Sequence, residues 1–203
     1  MSQPQTEAYA TVADQRPSTS DELALGPLQI SEIILHTRSF DSMKAWYVDF
    51  FGGLKPAVDV APNRGLKSIP DVTRLCFLRI HTNYPITQVL GLFEIPELGD
   101  RHPAGSGLNH MQFREQSLQH LFRRYEVLKS AGITPFKAYN HGPSTSFYYS
   151  DPDGNEVELN ATNFSKEEDY LAFFQSDEYR KNVEGYQVDA ESYMHEKRTS
   201  GAA

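Results

Sequence analysis

The sequence predicts an α+β protein built from two successive βαβββ modules. Three observations support this prediction: short segments in which apolar and polar residues alternate, two amphipathic segments that end at glycine, and the recurrence of the same order of elements. Equivalent strands of the two halves are offset by about 78 residues, from Glu32 to His110. We therefore interpret the chain as an internal repeat.

The first module begins at Leu28 with LQISEIILHT, a segment rich in Ile and Leu that predicts a strand. Apolar residues then repeat at intervals of three and four through MKAWYVDFFGG, which predicts a helix that ends at Gly52 and Gly53. Three further strands are predicted in GLKPAVDVA, VTRLCFLRI and ITQVLGLFEI.

The second module repeats this order. LNHMQFRE predicts a strand, SLQHLFRRYEVLKSAGI a helix that ends at Gly132, and ITPFKAY, STSFYYS and NEVELNAT three more strands. Each amphipathic helix should cover one face of its own sheet, which leaves the opposite face of the sheet for other contacts.

The two ends of the chain differ from this pattern. Residues 1–27 are polar, rich in Pro, Ser, Thr and Gln, and predict a disordered tail. Residues 28–164 are expected to form one domain. Residues 165–203 are expected to form a helical extension, with one helix from 165 to about 175, a less regular stretch after it, and a frayed end of sequence RTSGAA.

Composition excludes several classes of function. The net charge of −8 argues against a nucleic-acid-binding protein, and no apolar run approaches the roughly 20 residues that span a bilayer. The N-terminal residues do not resemble a signal peptide, and the single cysteine, Cys76, cannot form an intrachain disulfide. We therefore expect a cytoplasmic protein that binds neither nucleic acid nor membrane.

Alternation on three strands places polar side chains opposite the apolar, helix-facing side. The residues alone leave two interpretations open, a solvent-exposed face or a polar-lined cavity. The polar residues concerned are Glu32 and His36 on the first strand, His110, Gln112 and Arg114 on the fifth, and Glu156, Glu158 and Asn160 on the last.

The motifs GLNHMQF and HGPSTSFYYSDPDGNEVELN, together with the repeated module, resemble the vicinal oxygen chelate superfamily of glyoxalases, bleomycin-resistance proteins and extradiol dioxygenases. The stretch from Leu28 to Phe164 follows that pattern. The resemblance is closest to small biphenyl-2,3-diol dioxygenase-like proteins, whose tail is similar to FQSDEYRKNVEGYQVDAE. It implies that the two modules form a cup-shaped mixed sheet.

The resemblance also implies a divalent metal ion held by Glu32, His110 and Glu158. Dioxygenases of this kind usually carry His where this chain has Glu32, and two His with one carboxylate is the usual iron set. A set with one His is closer to what Mn²⁺, Mg²⁺ or Zn²⁺ accepts, whereas a dioxygenase would use Fe²⁺. His36 lies about 13 Å along the same strand face and is left as a pocket or surface residue.

The implied activity is metal-dependent cleavage of a catechol-like or polyphenolic aromatic substrate with adjacent oxygens. His141 and Tyr148, or Tyr149, are candidates for acid–base and substrate contacts, and Glu32 is a candidate general base if it does not bind metal. Two alternatives stay open: a non-oxidative isomerase, cyclase or lyase that uses Glu32, and a ligand-binding protein of the bleomycin-resistance type. A homodimer is one assembly that the resemblance suggests.

Overall fold

A computed structural model describes residues 28–62, 66–83, 86–99 and 107–201. The predicted disorder of residues 1–27 lies outside this part of the chain. The first module comprises β1 (Glu32–Thr37), α1 (Phe40–Phe50), β2 (Val58–Val60), β3 (Arg74–Asn83) and β4 (Ile86–Glu94). The second comprises β5 (His110–Arg114), α2 (Leu118–Ser130), β6 (Lys137–Asn140), β7 (Ser144–Ser150) and β8 (Glu156–Thr162).

The two modules have the same topology. The first sheet has the strand order β1-β4-β3-β2, and the second begins in the corresponding order β5-β8-β7-β6. In each sheet the first and last strands of the module pair in parallel, and the remaining pairs are antiparallel. The prediction of two βαβββ modules is confirmed.

One hydrophobic core joins the helix-facing sides of both sheets. It contains buried residues of α1 and α2 together with Leu90 of the first sheet and Val157 of the second. Phe50, at the end of α1, packs edge-on against Phe113 and Tyr149 of the second sheet, with ring centroids 6.0 and 5.7 Å apart. Because the helix-facing sides share this core, the opposite face of each sheet points away from it. We call these the open faces.

The two open faces differ in chemistry. On the first sheet, a separate apolar cluster of Val72, Leu75 and Phe93 is joined by the partly buried Ile34 and Phe77. The open face of the second sheet carries mostly polar side chains from β5, β7 and β8, among them the buried Ser146, Glu158 and Asn160. Cys76 is buried in the shared core, and burial raises the pKa of its thiol to about 11.

The C-terminal extension contains α3 (Glu167–Phe173), α4 (Asp177–Lys181), β9 (Tyr186–Gln187) and α5 (Ala190–Thr199). The sequence predicted the first of these helices. It did not predict β9, which pairs with β6 and becomes the fifth strand of the second sheet. Helix α5 continues to Thr199 and so includes Arg198 and Thr199, the first two residues of the predicted frayed end. Within the described residues, no helix is long and apolar enough to cross a membrane.

Candidate active site

The candidate site lies on the open face of the second sheet, where β8 runs between β5 and β7. In this register Glu158 is opposite Gln112 on one side and Tyr148 on the other. His110 is two residues before Gln112 and shares its face, because alternate residues of a strand point the same way. The sheet therefore groups these side chains around Glu158.

Glu158 is a buried carboxylate whose two oxygens have different surroundings. Its side chain is only 3% exposed. The Oε1 atom accepts hydrogen bonds from Gln112 Nε2 at 2.8 Å and from Ser146 Oγ at 2.6 Å. The Oε2 atom lies 3.0 Å from Nε2 of His110. Since two donors already bind Oε1, Oε2 is the oxygen that can interact with another group.

The Nε2 atom of His110 faces that oxygen. Its Nδ1 atom lies 2.6 Å from Oδ1 of Asn109, and an amide oxygen can only accept, so Nδ1 carries the proton. Nε2 can then either donate its own proton to the carboxylate of Glu158 or, without that proton, offer a lone pair beside it. The separation of 3.0 Å therefore needs a proton or a cation shared by the two atoms. An imidazole and a carboxylate held in this way are suitable ligands for a divalent metal ion.

Tyr148 and His141 extend the same network. His141 Nε2 lies 3.0 Å from the hydroxyl of Tyr148, and the rings of Tyr148 and His110 meet edge-on with centroids 6.1 Å apart. Burial, followed by the negative charge of Glu158, raises the pKa of Tyr148. Tyr148 is therefore a phenol at neutral pH, able to donate a hydrogen bond to the imidazole of His141.

Glu32 lies on the open face of the other sheet. It is exposed and is paired in register with Val89 of β4. Within the described ranges, no group of three or more His, Cys, Asp and Glu side chains is close enough to hold a metal ion. Within one chain, His110 and Glu158 are therefore adjacent, and Glu32 does not join them. The predicted set of three ligands stays a prediction. His36, on the same face as Glu32, is stacked on Phe93 with a centroid distance of 6.3 Å.

Three further residues support the site and were missed in the sequence. Ser146 and Asn109 hydrogen-bond to the two candidate ligands. Lys137 lies with its Nζ atom 4.3 Å from the ring centroid of Tyr148 and 2.9 Å from the carboxylate of Glu156. Alternation along STSFYYS could have placed Ser146 beside Tyr148, because both residues share one face of β7.

This fold, with a His–Glu pair on a polar sheet face, is the architecture of a glyoxalase- and dioxygenase-type protein. The model of the Glyoxalase/Bleomycin resistance protein/Dioxygenase superfamily matches residues 29–159. The chain belongs to that superfamily. It is also 33% identical over 161 residues to Biphenyl-2,3-diol 1,2-dioxygenase 2 of Rhodococcus globerulus, covering 79% of this chain and 77% of the relative.

A second relative and a solved structure agree with this assignment. Biphenyl-2,3-diol 1,2-dioxygenase 3 of Rhodococcus globerulus is 30% identical over 159 residues, which cover 77% of this chain and 75% of the relative. The crystal structure of a glyoxylase/bleomycin resistance protein/dioxygenase domain from Frankia sp. EAN1pec has a TM-score of 0.54 at 19% identity. That match covers 68% of this chain and 99% of the Frankia domain, and shows a shared fold.

Proposed function

We propose that the protein is a metal-dependent ring-cleaving dioxygenase that acts on a catechol-like aromatic substrate with two adjacent hydroxyl groups. The main support is the pair formed by His110 and Glu158, in which the imidazole Nε2 lies 3.0 Å from a buried carboxylate oxygen. The similarity to two biphenyl-2,3-diol dioxygenases gives the substrate class.

In this proposal His110 and Glu158 hold a divalent ion, which is Fe²⁺ for oxygenase chemistry. A bound divalent ion polarises both adjacent oxygens of a chelating substrate and stabilises their anionic forms. Glu158 contributes the negative charge, and the bonds from Gln112 and Ser146 to Oε1 leave its Oε2 facing His110, where it would contact the ion. The proton released by a substrate hydroxyl passes to His141, either directly or through Tyr148.

The third ligand in this proposal is Glu32 of a second copy of the chain, so that the enzyme is a homodimer. Both open faces point away from the shared core, and Glu32 and His110 lie on different open faces. Docking the first open face of one copy on the second open face of another would enclose a cup with an apolar wall and a polar wall. It would also bring Glu32 of one copy to the His–Glu pair of the other.

Mixing two inactive variants tests this assembly. Glu32→Ala and His110→Ala chains are unfolded together, refolded as a mixture, and assayed beside each variant refolded alone. If each site takes Glu32 from one chain and His110 from the other, we expect recovery of about a quarter of wild-type activity. Half of the dimers are mixed, and one of the two sites in each mixed dimer is intact. If the site forms within one chain, the mixture recovers nothing, because every site then carries a defect.

The activity itself is tested by oxygen uptake. The protein is loaded with Fe²⁺ without air, mixed with biphenyl-2,3-diol, and followed with an oxygen electrode. We expect about one O₂ consumed per substrate, and loss of activity in His110→Ala but not in the control His195→Ala, which changes a histidine on α5. Binding of the diol without oxygen uptake would reject the dioxygenase proposal.

One observation favours a second candidate, a non-oxidative isomerase, cyclase or lyase. The first-strand position holds Glu32, where dioxygenases of this type usually have His. A carboxylate there could act as a general base toward a substrate with adjacent oxygens. The two candidates differ in their need for O₂, because only the dioxygenase consumes it.

A further inference from the structure

The segment that follows the family-matched residues packs on the loop that carries His141. This loop joins β6 to β7 and contains Gly142, which has φ of +91°. A β-carbon at Gly142 would overlap the ring of Phe173 at the end of α3. The C-terminal extension therefore lies in direct contact with this loop.

A second close contact involves the turn Asn182–Gly185, between α4 and β9. Gly185 has φ of +85°, and a β-carbon there would overlap the carbonyl oxygen of Asn140 and the Cα atom of His141. The side chain of Asn182 closes the turn, donating to the Gly185 carbonyl at 2.7 Å and accepting from the Gly185 N–H at 3.1 Å. Only glycine permits both the backbone angle and this distance of approach.

The close approach brings a backbone carbonyl to the imidazole. The carbonyl oxygen of Glu184 lies 2.6 Å from Nδ1 of His141. A carbonyl can only accept, so Nδ1 carries a proton, and in the neutral ring Nε2 then carries the lone pair. Nε2 is the atom that lies 3.0 Å from the hydroxyl of Tyr148.

We propose that the turn Asn182–Gly185 is a positioning element of the active site, which fixes His141 in the tautomer whose Nε2 accepts a hydrogen bond from Tyr148 and the proton of a substrate hydroxyl. The step moves one proton from a substrate O–H group to Nε2 and leaves the electron pair on the substrate oxygen, and the Glu184 carbonyl stabilises the resulting imidazolium through Nδ1–H. The C-terminal extension thus contributes to catalysis through His141, without contacting substrate. This inference rests on the proposed acid–base role of the site.

The ¹⁵N NMR signals of the two ring nitrogens test the proposal directly, since they distinguish a protonated from an unprotonated nitrogen. The spectrum is recorded on full-length protein with Zn²⁺, a d¹⁰ ion that does not broaden signals. His141 is assigned by the loss of its signals in His141→Gln. Wild type should show a proton on Nδ1 alone, whereas Gly185→Ala and the milder Asn182→Ala should show a mixture of tautomers. Both variants should lower kcat about 10-fold, with a smaller change in KM.

Two controls separate positioning from general damage. Gly132→Ala also replaces a glycine at positive φ, +79°, but no heavy atom lies within 4 Å of the added carbon, so the His141 tautomer should not change. Glu184→Ala keeps the carbonyl and should also leave the tautomer unchanged. An Nδ1–H tautomer that persists in both Gly185→Ala and Asn182→Ala would overturn the proposal. A tautomer change in a protein without oxygenase activity would instead support the positioning role and reject the proposed reaction.

Discussion

Ser146 Oγ donates a hydrogen bond of 2.6 Å to Oε1 of Glu158 across two antiparallel strands. Ser146 is fully buried, and Gln112 supplies the second donor to the same oxygen. Glu158 thus has one oxygen fixed by two neighbouring strands and the other directed at His110. This arrangement orients a ligand before any ion binds.

Ser146→Ala should weaken metal binding about 10- to 100-fold, because Glu158 loses one of the two donors that orient it. The dissociation constant can be measured by competition with a chelating dye. Ser150→Ala is the matched control, since Ser150 is an exposed serine at the end of the same strand. Equal affinities in the two variants would show that Ser146 does not orient the carboxylate.

Glu32→His distinguishes the two candidate reactions. In an iron dioxygenase this change should preserve or raise Fe²⁺-dependent oxygen uptake, because it restores two imidazoles beside one carboxylate. If Glu32 is a general base in a non-oxidative reaction, turnover should fall about 10²- to 10⁴-fold while substrate binding is kept. Oxygen uptake and equilibrium binding of the diol, measured on the same preparation, separate these results.

Tyr149→Phe should stabilise the fold by about 1 kcal/mol, because it removes a buried hydroxyl that has no hydrogen-bond partner among the described residues. Tyr47→Phe should have the opposite effect, a loss of about 2 kcal/mol, since the Tyr47 hydroxyl donates to the carboxylate of Asp151 at 2.9 Å. Urea unfolding at pH 7 measures both. A destabilised Tyr149→Phe protein would indicate that its hydroxyl has a partner.

Stability should fall above about pH 10, partly because of Tyr148. Its pKa is raised above the ordinary value of 10.0 by burial and by Glu158, so the unfolded chain loses this proton at a pH where the folded chain keeps it. The folded state then binds more protons, and the free energy of unfolding decreases as pH rises. Tyr148→Phe should reduce this slope by up to about 1.4 kcal/mol per pH unit, measured by urea unfolding between about pH 8 and 11. An unchanged slope would contradict the raised pKa.

Much of the fold could be predicted from the sequence, because alternation and helical periodicity are local patterns. The same alternation predicts that polar residues of β5 and β8, His110, Gln112 and Glu158 among them, lie opposite the helix-facing side of their strands. It could not show how the two sheets are joined, since that depends on the packing of Phe50 against Tyr149, residues far apart in the chain.

Two parts of the site could hardly be predicted from the pattern of residue types along the sequence. Ser146 is an ordinary strand residue until its register with Asn160 and the neighbouring Glu158 is known. The contact to His141 comes from the backbone carbonyl of Glu184, which any residue would provide. The turn itself depends on two residue types, Gly185 for its positive φ and close approach and Asn182 for the hydrogen bonds that close it.

Metal content tests the central claim most directly. Wild type, His110→Ala, Glu158→Gln and the surface control Glu126→Gln are each purified without chelators, equilibrated with Fe²⁺ in the absence of air, desalted and examined by elemental analysis. The account predicts about one ion per chain in wild type and Glu126→Gln, and almost none in the other two variants. A wild-type protein without metal, or site variants that retain as much as wild type, would contradict it.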